Sequence, residues 1–128
     1  MIVDCSALLA ILLNEREAGK FLQALEDCET CRMSAINYLE AAIVVDNRAN
    51  AHARNEFDYF VRQSGLQIEA VTPSQAMIAR QAYRDYGKGR HPAGLNLGDC
   101  FAYALSKELD EPLLFKGNDF TKTDVRRA

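Results

Sequence analysis

Apolar and polar positions along this chain fall into short blocks whose spacing separates strands from helices. Met1-Ile2-Val3 is a brief β-rich run that passes through Asp4 into a helical stretch, Ser6 to Leu13. A second helix fits Glu15 to Glu26, with Phe21, Leu22 and Leu25 on one side. Cys31 to Met33 reads as a short strand, and Ser34 as the N-cap of a helix from Ala35 to Asn47. An amphipathic helix, Ala51 to Gln63, uses Phe57, Phe60 and Val61 and is closed by Gly65. Leu66 to Val71 alternates as a strand does, and Thr72 or Ser74 with Pro73 opens a helix to Tyr86. A loop rich in Gly, Lys and Arg spans Gly87 to Gly94. A helix from Leu97 to Leu109 and a strand from Pro112 to Phe115 follow. Strands and helices alternate through connections too long for hairpins. That order predicts an α/β fold, a three-layer α/β/α sandwich about a mostly parallel sheet.

Composition narrows the picture. With 128 residues, 48% of them hydrophobic and 26% charged, the chain is a single domain, residues 1–128, able to bury a core. Its 15 Lys and Arg against 18 Asp and Glu leave a net charge of −3. A generally basic nucleic-acid binder is therefore excluded, and any attraction for nucleic acid must be local or carried by bound cations. The opening apolar stretch is short, is broken by Asp4 and lacks a basic leader, so neither a signal peptide nor a membrane span is expected. Cys5, Cys28, Cys31 and Cys100 then read as reduced thiols of a cytoplasmic protein. Cys28-Glu-Thr-Cys31 has no second such pair, and His52 and His91 lie in unrelated segments, which argues against zinc.

The acids carry the chemistry. In parallel α/β sheets, sites form beyond the carboxyl ends of the strands. Asp4 directly follows the first strand and Asp119 follows the last by four residues. A helix cap and a Gly-Asn-Asp turn are the favoured explanation of each when it is taken alone. Glu40 is expected on the apolar stripe of its helix with Ile36, Leu39, Ile43 and Val44. A carboxylate there is costly unless paired or bound to a cation. Asp99, three residues after Asn96, fits a capping box. If all four converge, each like-charged pair at about 4 Å costs about 4 kcal/mol at an effective dielectric of about 20. Such a cluster must hold protons or a hard divalent cation, and oxygen-only ligands favour Mg²⁺ or Mn²⁺. That chemistry points to phosphoryl transfer or phosphodiester hydrolysis.

The segments MIVDCSALLA, SAINYLEAA, GKGRHPAGLNLGDCFAYALS and PLLFKGNDF closely resemble, in order and spacing over essentially the whole chain, the PIN domain, specifically the VapC-type toxins of bacterial toxin–antitoxin pairs. The resemblance implies a metal-dependent ribonuclease leaving 5′-phosphate and 3′-hydroxyl ends. It implies that Asp4, Glu40, Asp99 and Asp119 are the catalytic and metal-binding acids, with Mg²⁺ or Mn²⁺ as cofactor. Ser6 occupies the supporting hydroxyl position. At the fourth acidic position Asn118 stands where many members carry Asp, and Asp124 is a nearby alternative. The resemblance further implies an RNA substrate, a homodimer, and a small antitoxin whose C-terminal segment covers the acidic pocket. Phe21, Leu22, Phe57 and Phe60 are candidates for antitoxin contact, and core packing explains them as readily.

An acidic protein must still attract an anion. Arg80, Arg84, Lys88 and Arg90 face a single acid, Asp85, over the stretch that leads toward Asp99. Arg80, Arg84 and Lys88 share one face if the helix extends that far, a path for an RNA backbone or simply a solvated surface. Three rivals remain open: a PIN-fold binding module without catalysis, a receiver-like signalling domain, and a structure-specific DNA nuclease. The receiver would leave Glu40 unexplained, and the DNA nuclease usually carries extra segments.

Overall fold

Four short strands, β1 (Ile2–Val3), β2 (Arg32–Ser34), β3 (Gln67–Glu69) and β4 (Leu113–Leu114), pair in parallel in the order β3-β2-β1-β4. The computed structural model describes residues 1–48 and 51–128. Ile2 is in register with Arg32 on one side and Leu113 on the other. The first strand of the sequence is thus interior to the sheet. Around it lie α1 (Cys5–Leu12), α2 (Ala18–Glu26), α3 (Ala35–Arg48), α4 (Ala51–Gln63), α5 (Pro73–Tyr86) and α6 (Leu97–Leu109), with a 3-10 turn at Asp119–Lys122.

The two-residue period of a strand divides the core. Ile2 and Leu113 face one way and pack with Leu95, Leu105, Phe115 and Phe120, on the side of α5 and α6. Val3, Met33 and Leu114 face the other way and pack with Leu8, Phe21 and Phe57 from α1, α2 and α4. Full burial of side chains this size contributes roughly 1.5–3 kcal/mol each. The three-layer α/β/α arrangement expected from the sequence is what forms.

Several boundaries differ from expectation for local reasons. Asn14 adopts a left-handed conformation after α1, and Ala18 N–H bonds to Glu15 C=O, so residues 15–17 make a turn and α2 starts at Ala18. β3 is shorter than Leu66 to Val71. It is an edge strand whose Ile68 is 40% exposed, so its alternation does not mark a buried face. Helix α5 is capped by Thr72, whose hydroxyl accepts from Gln75 N–H. It ends at Tyr86 because Gly87 turns extended and bridges to Leu95. Lys88 lies beyond that end and does not continue the Arg80–Arg84 stripe.

The buried stripe of α3 is Asn37, Ala41 and Val45, not Ile36, Leu39, Ile43 and Val44. Leu39 and Ile43 are about half exposed, at 53% and 49%. Helix α3 is wedged among α1, α4 and α6. The face it presents there is set by neighbours that accept small side chains at close approach.

Candidate functional site

All four strands are parallel, so their carboxyl ends open on one edge, and each acid reaches that edge by a different local device. Asp4 follows β1 and is the N-cap of α1, with an extended backbone that leaves its carboxylate free to accept from Ser6 N–H at 2.9 Å. The Ser6 hydroxyl donates to the same oxygen at 2.5 Å and accepts from Lys116 N–H at 3.0 Å. Asp4 is buried, and its carboxylate is held between α1 and the chain leaving β4.

Glu40 approaches from α3. Its Oε2 accepts from Asn37 Nδ2 at 3.2 Å, and the same amide donates to the carbonyl of Gly98 at 3.0 Å. A methyl group placed on Gly98 would overlap the Glu40 carboxyl group. Glu40 therefore sits against the first turn of α6, one residue from Asp99. Asp99 forms the expected capping box: its carboxylate accepts from Asn96 N–H and its own N–H bonds Asn96 Oδ1, both at 2.9 Å. The capping reading of Asp99 is realised.

Asp119 is exposed at the start of the 3-10 turn, and its charge acts on both Asp4 and Asp99. Asn118 precedes that turn, and its carbonyl accepts from Thr121 N–H and Oγ1–H. Asp124 is committed elsewhere. It accepts from the Tyr103 hydroxyl at 2.7 Å and from Lys107 Nζ at 2.9 Å, which hold its carboxyl below the usual range. It does not join the cluster.

Electrostatics link the acids. Burial raises the Asp4 carboxyl, against the lowering effect of its Ser6 hydrogen bonds, and Asp119 adds to the rise. Burial and then the Asp4 charge raise Glu40, opposed by Asn37. Asp99 is pushed up to about 7, first by burial, then by Asp4, Asp119 and Glu40, against the Asn96 N–H. The Cys5 thiol, facing Asp4, Glu40 and Asp99, is raised to about 12 chiefly by burial, which makes it inert as a nucleophile at neutral pH.

Among the described residues no Lys or Arg forms an ion pair with Asp4, Glu40, Asp99 or Asp119. Their donor set is hard oxygen, and its charge is uncompensated, so it suits Mg²⁺ or Mn²⁺ and not a soft metal. As the side chains stand, no three of the described His, Cys, Asp or Glu groups are already in a ligating arrangement. Asn37 Oδ1, fully buried beside Glu40, also lacks a hydrogen-bond partner. Asn37 and Gly98 are the site residues that sequence reasoning missed. A polar residue one turn before Glu40 was the available signal.

Arg80, Arg84 and Arg90 border a groove of about 490 Å³ between α5 and α6, which Lys88 does not line. Its apolar walls include Tyr83, Leu97 and Phe101. Of the apolar candidates for partner contact, Phe21 and Phe57 are core, whereas Leu22 and Phe60 line a second groove of about 270 Å³.

A parallel sheet between helical layers, with acids from separate elements brought to its carboxyl edge, defines an α/β protein. The PIN domain model matches residues 1–126. Ribonuclease VapC42 of Mycobacterium tuberculosis is 48% identical over 129 residues, covering 100% of this chain and 98% of that protein. Ribonuclease VapC28 of the same organism is 46% identical, covering 100% and 97%. Among solved structures, Mycobacterium tuberculosis VapC20, described as a sarcin-ricin loop cleaving toxin, superposes with a TM-score of 0.78 at 16% identity, over 99% of this chain and 97% of that one. A toxin–antitoxin complex from Klebsiella pneumoniae gives 0.72 at 19% identity, over 96% and 92%. The chain belongs to the PIN-domain family, in its VapC group, and the receiver-like alternative falls away.

Proposed function

We propose that this chain is a metal-dependent endoribonuclease and the toxin of a type II toxin–antitoxin pair. The observation that carries the reading is the meeting of Glu40 with the first turn of α6 beside Asp99, within the electrostatic reach of Asp4, in a chain similar over its full length to VapC ribonucleases.

Asp4, Glu40 and Asp99 would hold Mg²⁺ or Mn²⁺, with Asp119 at the open side. When bound, the cation supplies activation of water and neutralisation of negative charge at the scissile phosphate. Ser6 fixes the rotamer of Asp4, and Asn37 fixes Glu40 against α6. The capping box holds Asp99 at the positive end of the α6 dipole. Arg80, Arg84 and Arg90 supply the local positive charge that the acidic total denies, and Lys88 stands at the end of α5, outside the groove.

The partners that fit are RNA, a second copy of the chain, and an antitoxin whose segment lies over the acids and the groove beside Leu22 and Phe60. Among the described residues no helix is long and apolar enough to cross a membrane.

The test is cleavage of RNA with Mg²⁺ or Mn²⁺, with a chelator and Asp4→Asn as controls. Activity is expected to need both the ion and Asp4. Cleavage that survives both controls rejects the mechanism.

A further inference from the structure

The Cys28-Glu-Thr-Cys31 pair lies apart from the acids. Cys31 directly precedes β2, which puts the pair at the amino edge of the sheet, whereas the acids occupy the carboxyl edge. Cys28 follows the last turn of α2, and residues 27–30 return the chain to the sheet. Both thiols are free, and their side chains are hydrogen-bonded to each other. Both also converge on the end of α2. The Cys28 N–H and the Cys31 thiol donate to the Leu25 carbonyl at 3.4 and 3.8 Å, and the Cys28 thiol donates to the Thr30 carbonyl at 3.1 Å. The fold treats the two sulfurs unequally. Cys28 is half-buried, while Cys31 is 6% exposed and packs in the core with Phe21, Leu25 and Met33.

A thiol reachable from solvent with a second thiol behind it is the arrangement of a reacting and a resolving sulfur. Zinc is the poorer occupant, since structural zinc takes four ligands and no third described His, Cys, Asp or Glu joins the pair. We propose that Cys28 and Cys31 are a reversible redox pair, which a peroxide converts into a disulfide tying the end of α2 to the start of β2. The Cys28 sulfur attacks one peroxide oxygen. An S–O bond forms as the O–O bond breaks, giving a sulfenic acid and, with hydrogen peroxide, one water. The Cys31 sulfur then displaces that oxygen, so that an S–S bond forms, the S–O bond breaks and the hydroxyl leaves as a second water with the Cys31 proton. Two electrons pass from the sulfurs to the peroxide, and a thiol reductant returns them by exchange. Burial and then the Cys28 side chain push the Cys31 thiol up to about 12, which makes Cys28 the sulfur that reacts first. The pair ends a helix and does not open one, so it lacks the positive helix end that makes such pairs fast oxidoreductases and is suited to a slow switch. Leu25 carries the consequence outward, because it lines the groove shared with Leu22 and Phe60. The disulfide fixes that wall of the groove.

The test needs no RNA. The full chain is treated with hydrogen peroxide in chelator, then denatured, alkylated and weighed by mass spectrometry. Two of its four thiols should be lost to alkylation, with the mass of two hydrogens, and peptide mapping should place the link between Cys28 and Cys31. Dithiothreitol should restore both. Cys31→Ser should stop at a sulfenic acid on Cys28 that a cyclic dione traps, and Cys28→Ser should leave Cys31 alkylatable. Hydrogen exchange at the end of α2 should slow in the disulfide form of the unaltered chain. Oxidation that spares this pair while Cys5 or Cys100 reacts overturns the proposal. So does a link between two copies of the chain, or Cys28 carried on to a sulfinic acid without a link to Cys31. A disulfide that leaves exchange in α2 unchanged overturns the tie to the groove.

Discussion

The carboxyl group of Glu40 occupies the space that a side chain on Gly98 would fill, and this close approach joins α3 to the first turn of α6. Asn37 reinforces it by donating to Glu40 and to the Gly98 carbonyl. Glu40 is therefore held beside Asp99 by its contact with Gly98 and by the Asn37 amide.

Gly98→Ala should displace Glu40. The expected result is a small change in stability, since the Glu40 carboxyl group can swing aside, together with a loss of cleavage larger than that change explains. Thermal melting and kcat/KM measured on the folded fraction check it. Full activity in Gly98→Ala would remove Glu40 from the machinery.

Asp99→Asn keeps an acceptor for Asn96 N–H but removes a charge. Cleavage should fall about 100-fold or more, with the melting temperature in chelator unchanged or higher. A large drop in melting temperature would mean that the carboxylate matters to the helix cap more than to the site.

Ser6→Ala removes the hydroxyl that links Asp4 to Lys116 N–H. Loss of an orienting partner of this kind typically costs 10- to 100-fold in metal affinity or activity, at about 1 kcal/mol in stability. Isothermal titration with Mn²⁺ and melting curves separate the two effects. Unchanged metal affinity would show that Asp4 holds its position without Ser6.

The raised acids set a pH dependence. Asp4, Glu40 and Asp99 bind protons more tightly in the folded protein than at their ordinary values, Asp99 at about 7 against 3.8. Their contribution to stability is present below the unfolded values and is lost as pH rises through the folded ones. Chelated protein should melt several degrees higher at about pH 5 than at about pH 8, and Mg²⁺ or Mn²⁺ should recover the loss at the higher pH. A melting temperature that climbs with pH in chelator contradicts this.

Asp124→Asn should behave differently. It weakens the bonds to Tyr103 and Lys107 and should cost about 1 kcal/mol, with cleavage intact. A collapse of activity would return Asp124 to the acidic set.

Asp4 and Asp99 were legible because their devices are local. An acid after a β-run and an Asn three residues before an acid can be read without knowing the fold. Glu40 was identified for a reason that does not hold, since the stripe assigned to it, through Leu39 and Ile43, faces outward. Which face of α3 is buried depends on α1, α4 and α6 together, and no periodicity within α3 encodes that. For the same reason Asn37 escaped notice. The condition for Lys88 to share the Arg80–Arg84 face, a helix reaching residue 88, is not met because the end of α5 is set by the pairing of Gly87 with Leu95, a contact across the intervening loop.

The interior position of β1 has a temporal corollary. Its outer neighbour, β4, and the Lys116 amide that steadies Ser6 come from the last sixth of the chain. A polypeptide still emerging from the ribosome carries Asp4 and Glu40 long before it owns the strand that seats them. Order of synthesis thus leaves Asp4 and Glu40 without a completed site until residues 113–116 have been made.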